Sequence, residues 1–276
     1  MIIYPAAFIL SAAAAGAPLT HPRIGYQTWT SDLLPAAVTV SSETRDGPKD
    51  APLRPDTAEY WEPSALPATW QIDLGATRAV DYVGIGAHTI GSSGCAASVE
   101  TSMDNVAWSS LASGIAPADD SPLLYLDDVR SSRHVRVQIT GGTVMPRIAV
   151  IYVGVALAMQ REIEGSGFMP PNLNRQTVLH RSLSRGGQFL GQGFRRNGVA
   201  ASVTFKLLEA AWYRASFDPF VKHARNLPYF FGWCPEEYPD EIAFVWTDND
   251  IAGRHMGMKD WIHVTWAMQG QAGTRG

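Results

Sequence analysis

The chain is short of cysteine: two in 276 residues, which excludes a disulfide framework. Cys95 and Cys234 lie far apart, form no metal-binding spacing, and read as free thiols that pack as small hydrophobes. It also lacks an excess of either charge. Against 26 acidic residues stand 22 basic ones, and the net charge of −4 excludes a polycation built to coat nucleic acid. Only 17% of residues are charged and 46% are apolar, which excludes a disordered chain. No H-E-x-x-H, G-x-S-x-G, P-loop or strand-to-helix G-x-G-x-x-G is present. The glycines at 186, 187, 191 and 193 fall in an expected hairpin, where no helix N-terminus waits for phosphate. No loop has the dense acidic spacing of a calcium site. The paired acids Glu236 and Glu237 have the chemistry for glycoside cleavage, but nothing in the sequence fixes their separation, and a solvated loop explains them more simply. The expectation is a protein with no catalytic residue, no metal and no cofactor.

No uninterrupted hydrophobic run is long enough to span a bilayer. Residues 1–20 carry no charge, but Pro5, Gly16 and Pro18 break the apolar stretch. A signal peptide would want a basic stretch ahead of its apolar run, and there is none, although Ala12-Ala13-Ala14 has the look of a cleavage site. The reading preferred is an extended segment that docks onto the folded body.

What the chain does have is turn formers and aromatics. With 25 Gly, 18 Pro, nine Trp, nine Tyr and ten Phe, it suits many short strands joined by tight turns. The length suits two domains. Residues 1–155 hold 9 basic and 15 acidic side chains, and residues 156–276 hold 13 and 11. Glu162 to Gly167 followed by Pro170-Pro171 reads as a linker, giving domains at 1–160 and 172–276 around a linker at 161–171.

In the first domain, Trp70, Ile72 and Leu74 alternate with polar residues, as do Val135, Val137 and Ile139. This is the period of a half-buried strand. Ile148 to Val155 is apolar throughout, as a fully buried strand would be. Asp46-Gly47-Pro48, Gly91 to Gly94, Asp104-Asn105 and Gly141-Gly142 mark turns. In the second domain, 178–184 and 188–194 form an expected hairpin about Arg185-Gly186-Gly187, and 199–208 a third strand. Residues 209–226 are the only substantial helix, with a break or kink at Asp218-Pro219. Strands at 229–233, 242–246 and 261–268 follow. The fold class is mainly β.

Four segments of the first domain carry a resemblance. Tyr60-Trp61, Trp70-Gln71-Ile72-Asp73-Leu74-Gly75, the run Ser102 to Leu111 with its S-x-D-x-x-x-W pattern, and Arg133-His134-Val135-Arg136-Val137 resemble the discoidin-type (coagulation-factor type) galactose-binding-domain family in the same order. The resemblance covers about residues 30–157. It implies an eight-stranded jelly-roll sandwich with a ligand rim of loops at one end, used for sugars, lipids or protein surfaces. The Cys pair that seals many members is missing. Tyr60, Trp61, His88 and Arg130 are the candidates for a sugar rim, an aromatic face stacking on the sugar while polar groups read its hydroxyls. The competing reading packs Trp61 in the core and lets His88 cap a strand. Trp108 is expected in the core. Asp73 suits a strand end where a carboxylate accepts backbone N–H bonds, and Asn105 suits a turn at positive φ.

The second domain is similar, over about residues 172–270, to the tail-tube or belt fold of long-tailed bacteriophages. The similarity rests on Phe189 to Phe194, Phe205 to Leu208, Trp212, Phe217 to Phe220 and His223 to Phe231. It implies a tail-tube-like barrel or sandwich with one helix that forms a homo-oligomeric ring, a hexamer. Other tail-tube and tail-tip proteins would be partners, and the location the virion, assembled in the host cytoplasm. In distal tail proteins the belt domain usually comes first; here the order is reversed.

Charge adds a separate argument. No acid occurs from Gly165 to Leu208, where Arg175, Arg181, Arg185, Arg195, Arg196 and Lys206 lie. No base occurs between Arg225 and Arg254, where Glu236, Glu237, Asp240, Glu241, Asp248 and Asp250 lie. Unrelated solvated loops account for this, and so does a head-to-tail contact in which one patch meets the other on the next copy. The interface candidates are Arg181, Arg185, Arg195, Arg196, Glu236, Glu237, Asp240 and Asp248. Arg outnumbers Lys 18 to 4, which suits planar interface pairs. The expected function is a structural tail-tip or baseplate protein whose outward sandwich packs or touches host-surface glycan. The alternative is a secreted carbohydrate-binding module protein.

Overall fold

The computed structural model describes residues 18–271, apart from 32, 120, 121, 165, 166, 172, 177, 197, 240 and 258. The chain is mainly β, with fifteen strands among the described residues. In order they are β1 (Arg23–Gly25), β2 (Val38–Val40), β3 (Ala68–His88), β4 (Cys95–Ser102), β5 (Ser109–Ile115), β6 (Leu123–Gly141), β7 (Ile148–Gly154), β8 (Leu157–Ala158), β9 (Val178–Leu183), β10 (Phe189–Arg196), β11 (Gly198–Glu209), β12 (Tyr229–Gly232), β13 (Ile242–Thr247), β14 (Ala252–His255) and β15 (Trp261–Gln271).

Strands β2 to β7 form one curled sheet in the order β2-β3-β6-β4-β5, with β7 also on β3. Its curl comes from the two longest strands. The register of β3 on β6 slips between Asp73 and Arg78 and again between Val80 and Tyr82, and such irregularities bend a strand and raise its twist. The first part of β3 therefore pairs with β2 at Val38–Val40, and the last part pairs with β7 from Tyr82 to His88. Inside the curl lie Trp70, Ile72, Val83, Ile85, Val135, Val137, Ile139, Ile151 and Val153. The alternating sequence positions are the buried ones, as a period of two requires. Asn105 sits at φ +62°, in the left-handed region that Asn tolerates.

The second sheet runs β11-β15-β13-β12-β1-β8, with β14 on β15. Two of its strands come from elsewhere in the chain. β1 pairs with β12 through Ile24 opposite Phe231, and with β8 through Ile24 opposite Leu157. Leu19, just before β1, is fully buried, and its carbonyl accepts the Glu236 N–H at 3.3 Å. Residues 18–25 thus dock onto the folded body; residues 1–17 lie outside the described part.

The helix expected over 209–226 is present but is not one regular helix. α1 (Ala210–Trp212) passes into a π-helical turn, Tyr213–Phe217, and then into α2 (Asp218–Ala224). The Asp218 N–H reaches back to the Tyr213 carbonyl. The cause is Pro219, which has no N–H to donate and whose ring crowds the carbonyl four residues back. The wider turn absorbs that misfit, so the chain stays helical where the sequence suggests a break. Phe217 and Phe220 point inward and meet Trp266 at ring-centroid distances of 5.6 and 6.0 Å.

A third cluster fixes the two sheets to each other. Tyr82, Leu124, Val150 and Tyr152 form the outer face of the curled sheet and pack on Phe230, Ile242 and Phe244 of the second. The ring of Phe230 lies so close to β3 that a Cβ on Gly84 would fall 2.6 Å from it. β7 is consequently buried on both faces, which is why its sequence is apolar throughout rather than alternating. Apart from both sheets, β9 and β10 pair only with each other.

Candidate functional site

At one end of the curled sheet, the segment bearing Trp61 bridges to Ile148, and His88 pairs with the same residue. This brings Tyr60, Trp61 and His88 together, as three of the four rim candidates. Two of them face inward. Trp61 is 0% exposed in the core, its indole N–H donating to the Ser42 carbonyl at 3.1 Å. His88 is also 0% exposed, and its Nδ1 accepts the Ile90 N–H at 3.3 Å. Neither side chain can line a rim, so these two rim assignments are corrected: both satisfy the strand end instead. Arg130 does not join them. It lies opposite Val80, eight residues along β3 from His88, or roughly 26 Å at the rise of a strand. There it pairs with buried Asp127 and edges a shallow cavity of about 270 Å³ beside Ser102 and Ser132.

Tyr60 remains, and the structure supplies partners for it. The Arg147 guanidinium lies 4.5 Å from the Tyr60 ring centroid. Arg147 Nε donates to Glu62 Oε1 at 3.1 Å, and the Glu62 hydrogen bond and charge push the guanidinium further up. The Arg147 backbone N–H donates to Thr89 Oγ1 at 2.9 Å. On the neighbouring turn, Ser92 N–H donates to Asp119 Oδ1 at 2.7 Å. The Arg147 side chain is half exposed and that of Glu62 largely covered. An aromatic edge, a fixed guanidinium fork, a carboxylate and hydroxyls therefore converge at one loop end. Such a set can donate to and accept from vicinal hydroxyls while the edge of the Tyr60 ring flanks the sugar. Glu62, Thr89 and Arg147 were not picked out in the sequence. The usable signal was Arg147 directly ahead of the apolar run from Ile148, at a strand start that must open onto the same end as His88.

Asp73 Oδ1 accepts the Gly75 N–H at 2.9 Å, but it does so inside β3, at the register slip on β6, rather than at a strand end. Both its oxygens also take Arg133 at 2.9 Å, and this fork, above all, holds its carboxyl below the usual range. Trp108 is not in the core: it is half-buried, with the Arg136 guanidinium 4.0 Å from its ring. It stands just ahead of the edge strand β5, where the arginine stacks on its ring.

Arg181 and Arg185 are exposed on the β9–β10 hairpin. Arg195 and Arg196 belong to β10 by backbone, but their side chains lie outside the described ones, as does Asp240 entirely. Glu236 and Glu237 stand on an exposed turn, and Asp248 is exposed on a bend. The described acids of this region do not form one patch. β13, about 20 Å long at the rise of a strand, separates Glu236, Glu237 and Glu241 from Asp248 and Asp250, and Asp250 pairs with Arg225 at 3.0 Å. Among the described residues, no group of three His, Cys, Asp or Glu could hold a metal. Nor is any helix there long and apolar enough to cross a membrane.

Residues 37–151 match the family model of the F5/8 type C domain. The curled sheet is thus a discoidin-like domain of that type, and the Tyr60–Arg147 group lies within it. Among solved structures, the chain is similar to a module from Clostridium perfringens in complex with GalNAc-β-1,3-galactose, at 17% identity over 43% of this chain and 94% of that one, TM-score 0.38. It is similar to a pectin-binding carbohydrate-binding module at 18% identity over 45% and 92%, TM-score 0.39. A chitosan-binding module of a Paenibacillus chitosanase/glucanase is similar at 15% identity over 47% and 99%, TM-score 0.39. A comparison with curated protein sequences finds no match.

Proposed function

We propose that the protein is a non-catalytic carbohydrate-binding protein whose discoidin-like domain takes a glycan at the loop end formed by Tyr60, Glu62, Thr89 and Arg147. The observation that carries this reading is the Arg147 guanidinium held by Glu62 over the Tyr60 ring, at the end of a sheet matched by the F5/8 type C model. Arginine offers more N–H groups than Glu62 can take, and the second Glu62 oxygen, which accepts from Thr44 Oγ1 at 3.4 Å, keeps a further lone pair for a sugar hydroxyl. The test begins on a glycan array with the full chain, and titration calorimetry follows for whichever glycan binds. Arg147→Ala and Tyr60→Ala should each lower affinity tenfold or more, about 1.4 kcal/mol. Arg130→Ala should leave it unchanged. An array with no binder, or equal affinity in all three variants, would sink the reading.

A second reading, a ring-forming structural subunit of a long-tailed phage tail tip, draws support from the unpaired β9–β10 hairpin. A lone two-stranded ribbon that leaves large apolar side chains in water is the kind of element that an assembly covers. Negative-stain images of the purified chain would test it: rings support it, and monomers at high concentration count against it.

A further inference from the structure

The β9–β10 hairpin has two unlike faces. Its register sets Leu183 opposite Phe189 and Arg181 opposite Gln192 on one side, and Ser182 opposite Gly191 and His180 opposite Gly193 on the other. The first face is apolar and basic; the second carries His180, Ser182 and two glycines, and Leu190 stands 66% exposed at the bulge between Phe189 and Gly191. Leu183 and Phe189 are 59% and 65% exposed, and Arg185 stands at the turn between the strands. A two-stranded ribbon is marginal in water by itself, and side chains this apolar are normally covered.

The second sheet offers a surface of opposite character. Beside β12, Phe168, Trp233 and Tyr238 build one stack. Trp233 lies parallel to Tyr238 at 4.7 Å, and Phe168 sets its edge on Trp233 at 5.3 Å. Trp233 Nε1 donates to Glu241 at 2.5 Å, which fixes the indole. These rings line a cleft of about 420 Å³ that is open to solvent. Its rim carries Glu162 and Glu237, both exposed, and Leu173, which is 65% exposed. The local field is negative enough that Glu237, Glu162 and Glu236, after burial itself, push the Cys234 thiol up. The cleft thus pairs an aromatic floor with carboxylates that have no ion pair among the described residues, which is the chemistry that takes a guanidinium.

We propose that this cleft receives the β9–β10 hairpin of a second copy of the chain. Arg185 enters against Glu237 and the open face of Tyr238, while Leu183 and Phe189 cover Leu173 and the edge of Phe168. The occupant is argued from complementarity in both charge and polarity. The hairpin has apolar side chains and Arg without acids, and the cleft has apolar side chains and Glu without bases. The contact joins two different surfaces, so it repeats from copy to copy and closes as a ring or runs on as a filament. It does not depend on glycan binding.

The test is a charge-swap series on the full chain, read by sedimentation velocity. The native chain should associate at concentrations up to about 100 μM, more weakly as salt rises. One variant reverses the hairpin (Arg181→Glu with Arg185→Glu) and another the cleft (Glu162→Lys with Glu237→Lys). All four positions are exposed, so both variants should keep the native circular dichroism spectrum. Each alone should lose association at least tenfold. An equimolar mixture should recover it, because each variant then offers the other an opposite charge. Three results would each overturn the proposal: a native chain monomeric throughout, a cleft variant that associates as the native chain does, or a mixture no tighter than its components. The second would point instead to hairpin meeting hairpin.

Discussion

Asp81 is the residue whose environment departs furthest from what its type suggests. It lies on β3 where the two sheets meet, beside buried Arg23 of β1, and its Oδ1 accepts the Ala156 N–H at 2.7 Å. Burial outweighs that bond and the arginine charge, so its carboxyl is pushed up to about 7. The same burial lowers Arg23. In the unfolded chain the group titrates near 3.8. Between about pH 4 and 7 the folded protein therefore holds a proton that the unfolded chain has lost, and stability falls as pH rises through that window, by on the order of 4 kcal/mol. Above about pH 7 both states are ionised and the loss is complete. Asp81→Asn keeps an acceptor for Ala156 and does not titrate. Urea unfolding at several pH values should show the slope in the native chain and much less of it in the variant; parallel curves would refute the assignment. Asp73 works in the opposite direction. Its carboxyl is held low by Arg133, so its contribution is present above the unfolded value and is lost as pH falls through the lower folded one.

At the scale of elements, the strands announced themselves wherever one face meets a core and the other meets water. Trp70, Ile72 and Leu74 alternate for that reason and are buried for it. The turn at Asn105 was equally plain, because few residues tolerate its φ of +62°. Asn105→Gly should leave stability within about 0.5 kcal/mol of native, whereas Asn105→Val should cost about 1–2 kcal/mol, measured by thermal unfolding. β1 gave no sign of itself. Arg23, Ile24 and Gly25 are too few to show a period, and their partners lie more than a hundred residues away. Trp61 and His88 misled for a different reason: an indole or imidazole has the same letter whether it faces a sugar or the core. Pro219 marked the helix correctly as irregular, but not how the backbone would adapt. Pro219→Ala removes a helix-breaking residue, so the helical run should gain stability, which denaturation would show.

The whole molecule is held as one body by the Tyr82, Tyr152, Phe230 and Phe244 cluster. The Tyr152 and Phe230 rings meet at 5.6 Å and those of Phe230 and Phe244 at 4.8 Å. Phe230→Ala should cost about 3–5 kcal/mol and split thermal unfolding into two transitions seen by calorimetry; a single transition would argue that another contact couples the sheets. Gly84→Val should act in the same direction, since its side chain would enter the Phe230 ring. The pairing of β1 with β8 has a mechanical consequence. Everything between Gly25 and Leu157 leaves and returns through two hydrogen-bonded neighbours, which stand about 5 Å apart. A pull along the polypeptide from either side of this excursion would load those few bonds first, while the long strands beyond them carried no tension. The same closeness means that a short turn could replace the whole loop-out and still deliver Ile24 to Phe231.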